Sequence, residues 1–220
     1  MDSREAVLGA LANDLDGVEL DVQLTADGVL VAFHDLDLHS KTGCSGPIHS
    51  HTWEQLKACP NLERLDHPYP IQRLDSLLLE AAGTFPRSEF TFDIKLNTKS
   101  EWWPYLQAFS TAINDVAMRP ELKNRILIEC QTDDFLRSIH DKAPDLPLFY
   151  YASDPGTAMD RALSLGCSGI TMDSDLLSPT DVALAQERGL QVTLFGVSGY
   201  WDLRNAAHKK PDRIQLDHDR

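Results

Sequence analysis

Basic residues are scarce in this chain. Its 220 residues hold 20 Lys and Arg against 34 Asp and Glu, a formal charge of −14 with a pI near 4.8. Affinity for nucleic acid or for anionic membranes grows with the opposite balance, so neither is expected as a general partner. No apolar run is long enough to span a bilayer, so no integral membrane segment is predicted. The first residues, MDSREAVLGALAND, lack the charged-then-apolar layout of a signal peptide. Cys44, Cys59, Cys130 and Cys167 form no CxxC pair. The reading is four reduced, mostly buried thiols and a cytoplasmic location. Low-complexity tracts and solenoid repeats are also missing. So is the glycine-rich first turn that a nucleotide-binding doubly wound sheet would need.

What is present is a steady rhythm. A hydrophobic fraction of 42% supports a real core, and the length fits one large domain or two small ones. The opening segment reads as a helix, with Ser3 able to cap it and Val7, Leu8 and Leu11 on one side. Strand-like runs follow at 17–24, 89–96, 125–131, 146–152, 168–174, 190–197 and 212–217, with helical patterns between them. One helix is well marked: Ser178 suits the N-cap, Pro179 the first turn, and Gly189 the end. TADG at 25–28 reads as a tight turn that extends the first strand into a hairpin. Strands alternating with helices imply a parallel α/β sheet. Seven units come within one strand of a (β/α)8 TIM barrel. The expectation is a single domain over 1–220, with a small hairpin and loop insertion at about 25–70.

The stretch GVELDVQLTADGVLVAFHD (17–35) carries the chemistry. Val18, Leu20 and Val22 take one face of a period-two pattern; Glu19, Asp21 and Gln23 take the other. Two carboxylates so close repel and are costly to desolvate, so the segment reads either as an antiparallel strand with one wet face or as a parallel strand of a closed sheet whose inner end holds a cation. Asp93 and Lys95 share a face of the next long strand. Alone, that pair suggests a solvated or mutually paired strand face. Together with Glu19 and Asp21, it suits a hard divalent cation with oxygen ligands, and a lysine placed to neutralise a phosphate oxygen. His34, just after a strand-like run, can move a proton in either direction. His39, His49, His51 and His67 read as loop residues, and His140, His208 and His218 as surface positions. Gln131 reads as a loop residue.

Taken together, these residues resemble the glycerophosphodiester phosphodiesterases. The order ExD, T-x-DG turn and downstream HD is similar to that family's core signature. TWEQLKA (52–58), PIQRLDSLLLEA (70–81), FDIK (92–95), GITMDSDLLSPTDVALAQERGLQVTLFGV (169–197) and DRIQLD (212–217) extend the likeness through the chain. The resemblance implies a TIM barrel of the phospholipase C-like phosphodiesterase type. It implies Glu19, Asp21 and Asp93 as ligands of Mg²⁺ or Ca²⁺, with Asp93 where the family usually has Glu. It also implies His34 as one of two acid–base histidines, Lys95 as a phosphate contact, and Phe195, where the family often has Trp, as a substrate-pocket wall. The implied reaction cleaves glycerophosphodiesters to glycerol 3-phosphate and an alcohol. No His-Arg-Gly tripeptide, which normally ends the family's first strand, occurs in the sequence. The expectation is therefore a barrel without its first strand, through a truncated sequence ahead of a natural loss or a replacement by another residue. With it come possible self-association through unpaired edges and an alternative function, an impaired relative that binds a phosphoester or a partner.

Overall fold

Ser3 starts the first helix by accepting a hydrogen bond from the Ala6 amide at 3.1 Å. The structure, a computed structural model, describes residues 2–62, 68–97 and 101–217. Each expected strand and helix is present, with ends shifted by a residue or two. The chain divides into two compact units, Met1–Leu127 with Asp141–Pro144, and Ile128–His140 with Asp145–Arg220.

In the first unit, α1 (Arg4–Ala12) buries Val7 and Leu11 and packs on β1 (Gly17–Leu24). Gly28, at φ +80°, closes the tight turn into β2 (Leu30–Ala32), which runs antiparallel to β1. The loop that follows contains α2 (Trp53–Leu56), whose Thr52 and Gln55 form a capping box. A small antiparallel pair, β3 (Pro60–Asn61) and β4 (Tyr69–Pro70), follows. Then β5 (Gln72–Arg73) adds antiparallel to β2. α3 (Leu74–Thr84) packs on β2, and β6 (Glu89–Ile94) lies parallel to β1. α4 (Trp102–Ala117) buries Tyr105, Leu106, Phe109 and Ile113. Leu20, Val22, Phe90 and Phe92 are fully buried, as the alternation requires, which leaves the acidic positions to the other face.

The insertion after the hairpin has its own core. Leu38, Ile48 and Leu56 are fully buried with Val31, Phe33, Cys59 and Ile71. Burying each such side chain contributes about 1.5–3 kcal/mol. Cys44 and Cys59 are joined by a disulfide with Cα atoms 5.8 Å apart. This corrects the expectation of four reduced thiols. The cysteines lie fifteen residues apart, and chain pairing at Thr42–Asn61 and Lys41–Leu62 brings the two segments together. Cys130 and Cys167 are free and buried, as expected. Burial pushes the Cys167 thiol up to about 12.

The second unit takes in the end of β7 (Ile126–Cys130), paired in parallel with β8 (Leu148–Ala152). β9 (Gly169–Asp173), β10 (Gln191–Val197) and β11 (Arg213–Leu216) continue the parallel order. The helices are α5 (Asp133–Lys142), α6 (Pro155–Ser164), α7 (Pro179–Glu187) and α8 (Tyr200–His208). Ser178 caps α7 as predicted, with Asp181 completing a capping box, and Gly189 at φ +82° ends that helix turn. Parallel strands are covered on both faces, so a charged residue within one needs partners. Glu129 is buried and accepts from the Thr171 hydroxyl at 2.7 Å and from the Gln215 amide at 2.9 and 3.0 Å.

Candidate functional site

The parallel register of β1 and β6 places Asp21 directly beside Asp93 and Glu19 beside Thr91. Glu19, Asp21 and Asp93 each offer an oxygen, and the three oxygens lie within 4.8 Å of one another. Asp21 is buried, Asp93 half-buried and Glu19 exposed. The cup therefore opens outward past Glu19. Asp93, though one methylene shorter than Glu, still reaches the other two.

Lys95 stands one residue beyond β6. Its ammonium contacts Asp21 Oδ1 at 2.9 Å and Asp93 Oδ2 at 2.6 Å. Burial lowers the Lys95 pKa, but the two carboxylates outweigh it and hold the ammonium above its usual value. Burial raises the Asp93 carboxyl; Lys95 offsets only part of that, and Asp21 adds to the rise. The two readings of the Asp93–Lys95 face thus coexist: the residues pair, and they also join Glu19 and Asp21.

Asp2 was not singled out by the sequence. It is buried, and its Oδ1 accepts from the Asp21 amide at 3.2 Å. Burial first, and the Asp21 charge second, raise its carboxyl to about 7. A short polar residue ahead of a helix cap looks ordinary in sequence; only the packing of α1 on β1 brings it here.

His34 lies two residues beyond β2 and is exposed. Its Nδ1 lies 2.6 Å from Asp35 Oδ1. Asp35 also accepts from the Ser40 hydroxyl, and Lys41 stands 3.6 Å away. Burial raises the Asp35 carboxyl, yet the Ser40 and His34 hydrogen bonds leave it lowered. A positive charge on His34 would lower both the Asp2 and the Asp93 carboxyl, as the smallest of the influences on each.

The other expected positions are described within their own units. Phe195 belongs to the second unit, where its ring stacks on Tyr151 with centroids 5.1 Å apart. Gln131 lies just after β7, outside any strand or helix, and is exposed. His39 is exposed and His49 and His51 half-buried within the insertion; His140 and His208 are at the surface. His67 and His218 lie outside the described residues.

A hard divalent cation fits the donor set. All three donors are carboxylate oxygens, and two face each other with a lysine as their nearest positive charge. Oxygen-only coordination suits the Mg²⁺ and Ca²⁺ class better than metals that prefer sulfur or imidazole.

The sequence profile of the glycerophosphoryl diester phosphodiesterase family matches residues 2–216. A glycerophosphodiester phosphodiesterase of Bacillus altitudinis is 27% identical over 148 residues, 66% of this chain and 58% of that protein. This chain thus aligns with somewhat over half of that relative's length. Glycerophosphodiester phosphodiesterase 1 of Mus musculus is 35% identical over 94 residues, 41% of this chain and 28% of that protein. Among solved structures, a putative glycerophosphoryl diester phosphodiesterase of Silicibacter pomeroyi DSS-3 superposes with a TM-score of 0.87. It is 20% identical and the match covers 98% of this chain and 84% of that one. An Oleispira antarctica phosphodiesterase in complex with the product sn-glycerol-3-phosphate superposes at 0.80, with 18% identity, covering 99% and 89%. The parallel strands alternating with helices and these superpositions show the α/β fold of the TIM-barrel phosphodiesterases expected from the sequence. With the profile spanning nearly its whole length, the chain belongs to the glycerophosphoryl diester phosphodiesterase family.

Proposed function

We propose that this chain hydrolyses glycerophosphodiesters to glycerol 3-phosphate and an alcohol, with Mg²⁺ or Ca²⁺ held by Glu19, Asp21 and Asp93. The observation that carries the reading is the convergence of those three carboxylates with Lys95 on neighbouring strands. The glycerol-3-phosphate bound to the Oleispira antarctica relative supports the substrate class.

When bound, the cation would screen the diester's charge and polarise a phosphoryl oxygen. The chain's own residues do the rest. Lys95, kept protonated by Asp21 and Asp93, donates to a phosphate oxygen. Asp35 accepts from His34 Nδ1–H, which leaves Nε2 to take a proton from an attacking hydroxyl or return one to the leaving alcohol. The resemblance supplies that nucleophile, a neighbouring glycerol hydroxyl, whose attack on phosphorus expels the alcohol and leaves a cyclic phosphate that a water molecule then opens to glycerol 3-phosphate. The assignment of Phe195 to substrate also rests on the resemblance.

A second reading, binding without turnover, is favoured by one observation: the 220 residues contain no His-Arg-Gly tripeptide and so no second family histidine. Incubation with sn-glycero-3-phosphocholine and Mg²⁺ or Ca²⁺ separates the two. The first reading expects glycerol 3-phosphate, abolished by EDTA and lowered at least ~100-fold in Asp21→Asn and His34→Ala. Metal binding with no product supports the second. The same proposal treats residues 1–220 as one catalytic domain. Self-association is checked by light scattering. The cytoplasmic expectation is weighed against the Cys44–Cys59 bond, which oxidising compartments favour.

A further inference from the structure

We infer that Gln23 is a positioning residue for His34, an assignment that rests on the acid–base role proposed above. Gln23 sits on the same face of β1 as Glu19 and Asp21, and it is 1% exposed. An amide buried that deeply is costly unless its polar atoms are paired. Its Nε2 uses both hydrogens: one goes to the Phe33 carbonyl at 2.7 Å, the other to the Asp35 carbonyl at 2.8 Å. Those carbonyls belong to the residues on either side of His34. Its Oε1 accepts from Asn97 Nδ2 at 3.3 Å, just beyond β6.

The clamp stands where the strand ladder gives out. The β1–β2 register ends at Val22–Ala32, and only the Phe33 amide, donating to the Asp21 carbonyl at 2.9 Å, carries it further. His34 then turns outward with 58% of its side chain exposed, so packing alone constrains its ring weakly. Its direction is set by its backbone and by Asp35. Gln23 holds the backbone on both sides of His34 and holds Asp35 by its carbonyl. An apolar side chain could fill the same space but could not grip two carbonyls. One face of β1 therefore carries two carboxylates of the cup and the group that aims the imidazole beside it.

The test compares Gln23→Met, close in size without donors, with the unchanged chain. In ¹H–¹⁵N spectra of metal-free protein, wild-type His34 should show one dominant tautomer, protonated on Nδ1. Gln23→Met should show a mixture of the two. With sn-glycero-3-phosphocholine, kcat should fall on the order of 10- to 100-fold while KM and Ca²⁺ affinity stay within about twofold. A folded Gln23→Met with an unchanged His34 tautomer overturns the inference, whatever happens to its rate. If the wild type turns over no substrate, the proposed activity fails, while the tautomer measurement still decides the role of Gln23. Should Gln23→Met not fold, Gln23→Asn keeps a buried amide one methylene too short to span both carbonyls. It should give the same mixture, and a wild-type tautomer there overturns the inference equally.

Discussion

Asp21 and Asp93 occupy the same register position on adjacent parallel strands, and the Lys95 ammonium bridges them at 2.9 and 2.6 Å. Two partly buried carboxylates at that spacing repel unless positive charge lies between them. Lys95 provides one charge from the chain, and the opening past Glu19 leaves an approach for a second.

Removing the lysine should expose that repulsion. Lys95→Met is expected to lower stability by roughly 1–3 kcal/mol in EDTA, since it leaves charged acceptors without their donor. Ca²⁺ should then raise the melting temperature more in the variant than in the wild type. Thermal unfolding with and without Ca²⁺ reads both. An equal Ca²⁺ response in the two proteins would count against a shared cation site.

Asp2 sets a pH dependence with a definite sign. Its folded carboxyl lies near 7 against 3.8 in the unfolded chain, so the folded state binds the extra proton between those values. The associated stability is complete below about 4 and is lost as pH rises through about 7. Asp2→Asn keeps an oxygen for the Asp21 amide and cannot ionise. In EDTA, it should be more stable than the wild type at pH 8, by about 4 kcal/mol at most. The two should converge toward pH 4. Parallel stability curves for both proteins from pH 4 to 8 would contradict this.

The disulfide closes a loop of fifteen residues of separation within the insertion. A loop of that size contributes about 3 kcal/mol in the chain-entropy account. Replacing Cys44 and Cys59 by serine should cost a similar amount and loosen the segment that brings Ser40 and Lys41 to Asp35. Thiol titration offers a direct check. Native protein should show no reactive thiol, denatured protein two, and reduced denatured protein four. Four thiols without reductant would remove the bond from the account.

Gly169 is required by close packing. A Cβ there would lie 2.5 Å from the Gln191 carbonyl oxygen and 2.5 Å from the Phe149 ring. Gly169→Ala should destabilise by roughly 1–3 kcal/mol, as overpacked cores do. Urea unfolding reads it, and a change below experimental error would mean the strands separate freely there.

Much of this was legible because strands encode their faces by alternation. Val18, Leu20 and Val22 against Glu19, Asp21 and Gln23 mark both the strand and its charged side. Ser178, Pro179 and Gly189 mark a helix by local chemistry alone. What escaped depends on tertiary proximity. Asp2 meets Asp21 across nineteen residues. Cys44 and Cys59 carry no spacing signature, and their bond follows from how the insertion folds back on itself. Gln23 could be assigned to a face, but its two carbonyl partners follow from the hairpin bringing residues 33–35 back over β1. Asp93 and Lys95 could be read as a pair or as part of a site; the ion pair and the β1–β6 register show that they pair and that they stand beside Asp21.

The proposed activity requires Glu19, Asp21 and Asp93 to grip one divalent cation. Anomalous diffraction from crystals soaked in Mn²⁺, a hard oxygen-seeking substitute, tests it most directly. A single strong peak bonded to an oxygen of each of the three residues, absent in Asp21→Asn, is the expected result. A crystal with no peak there, or with the peak held by other residues, would contradict it.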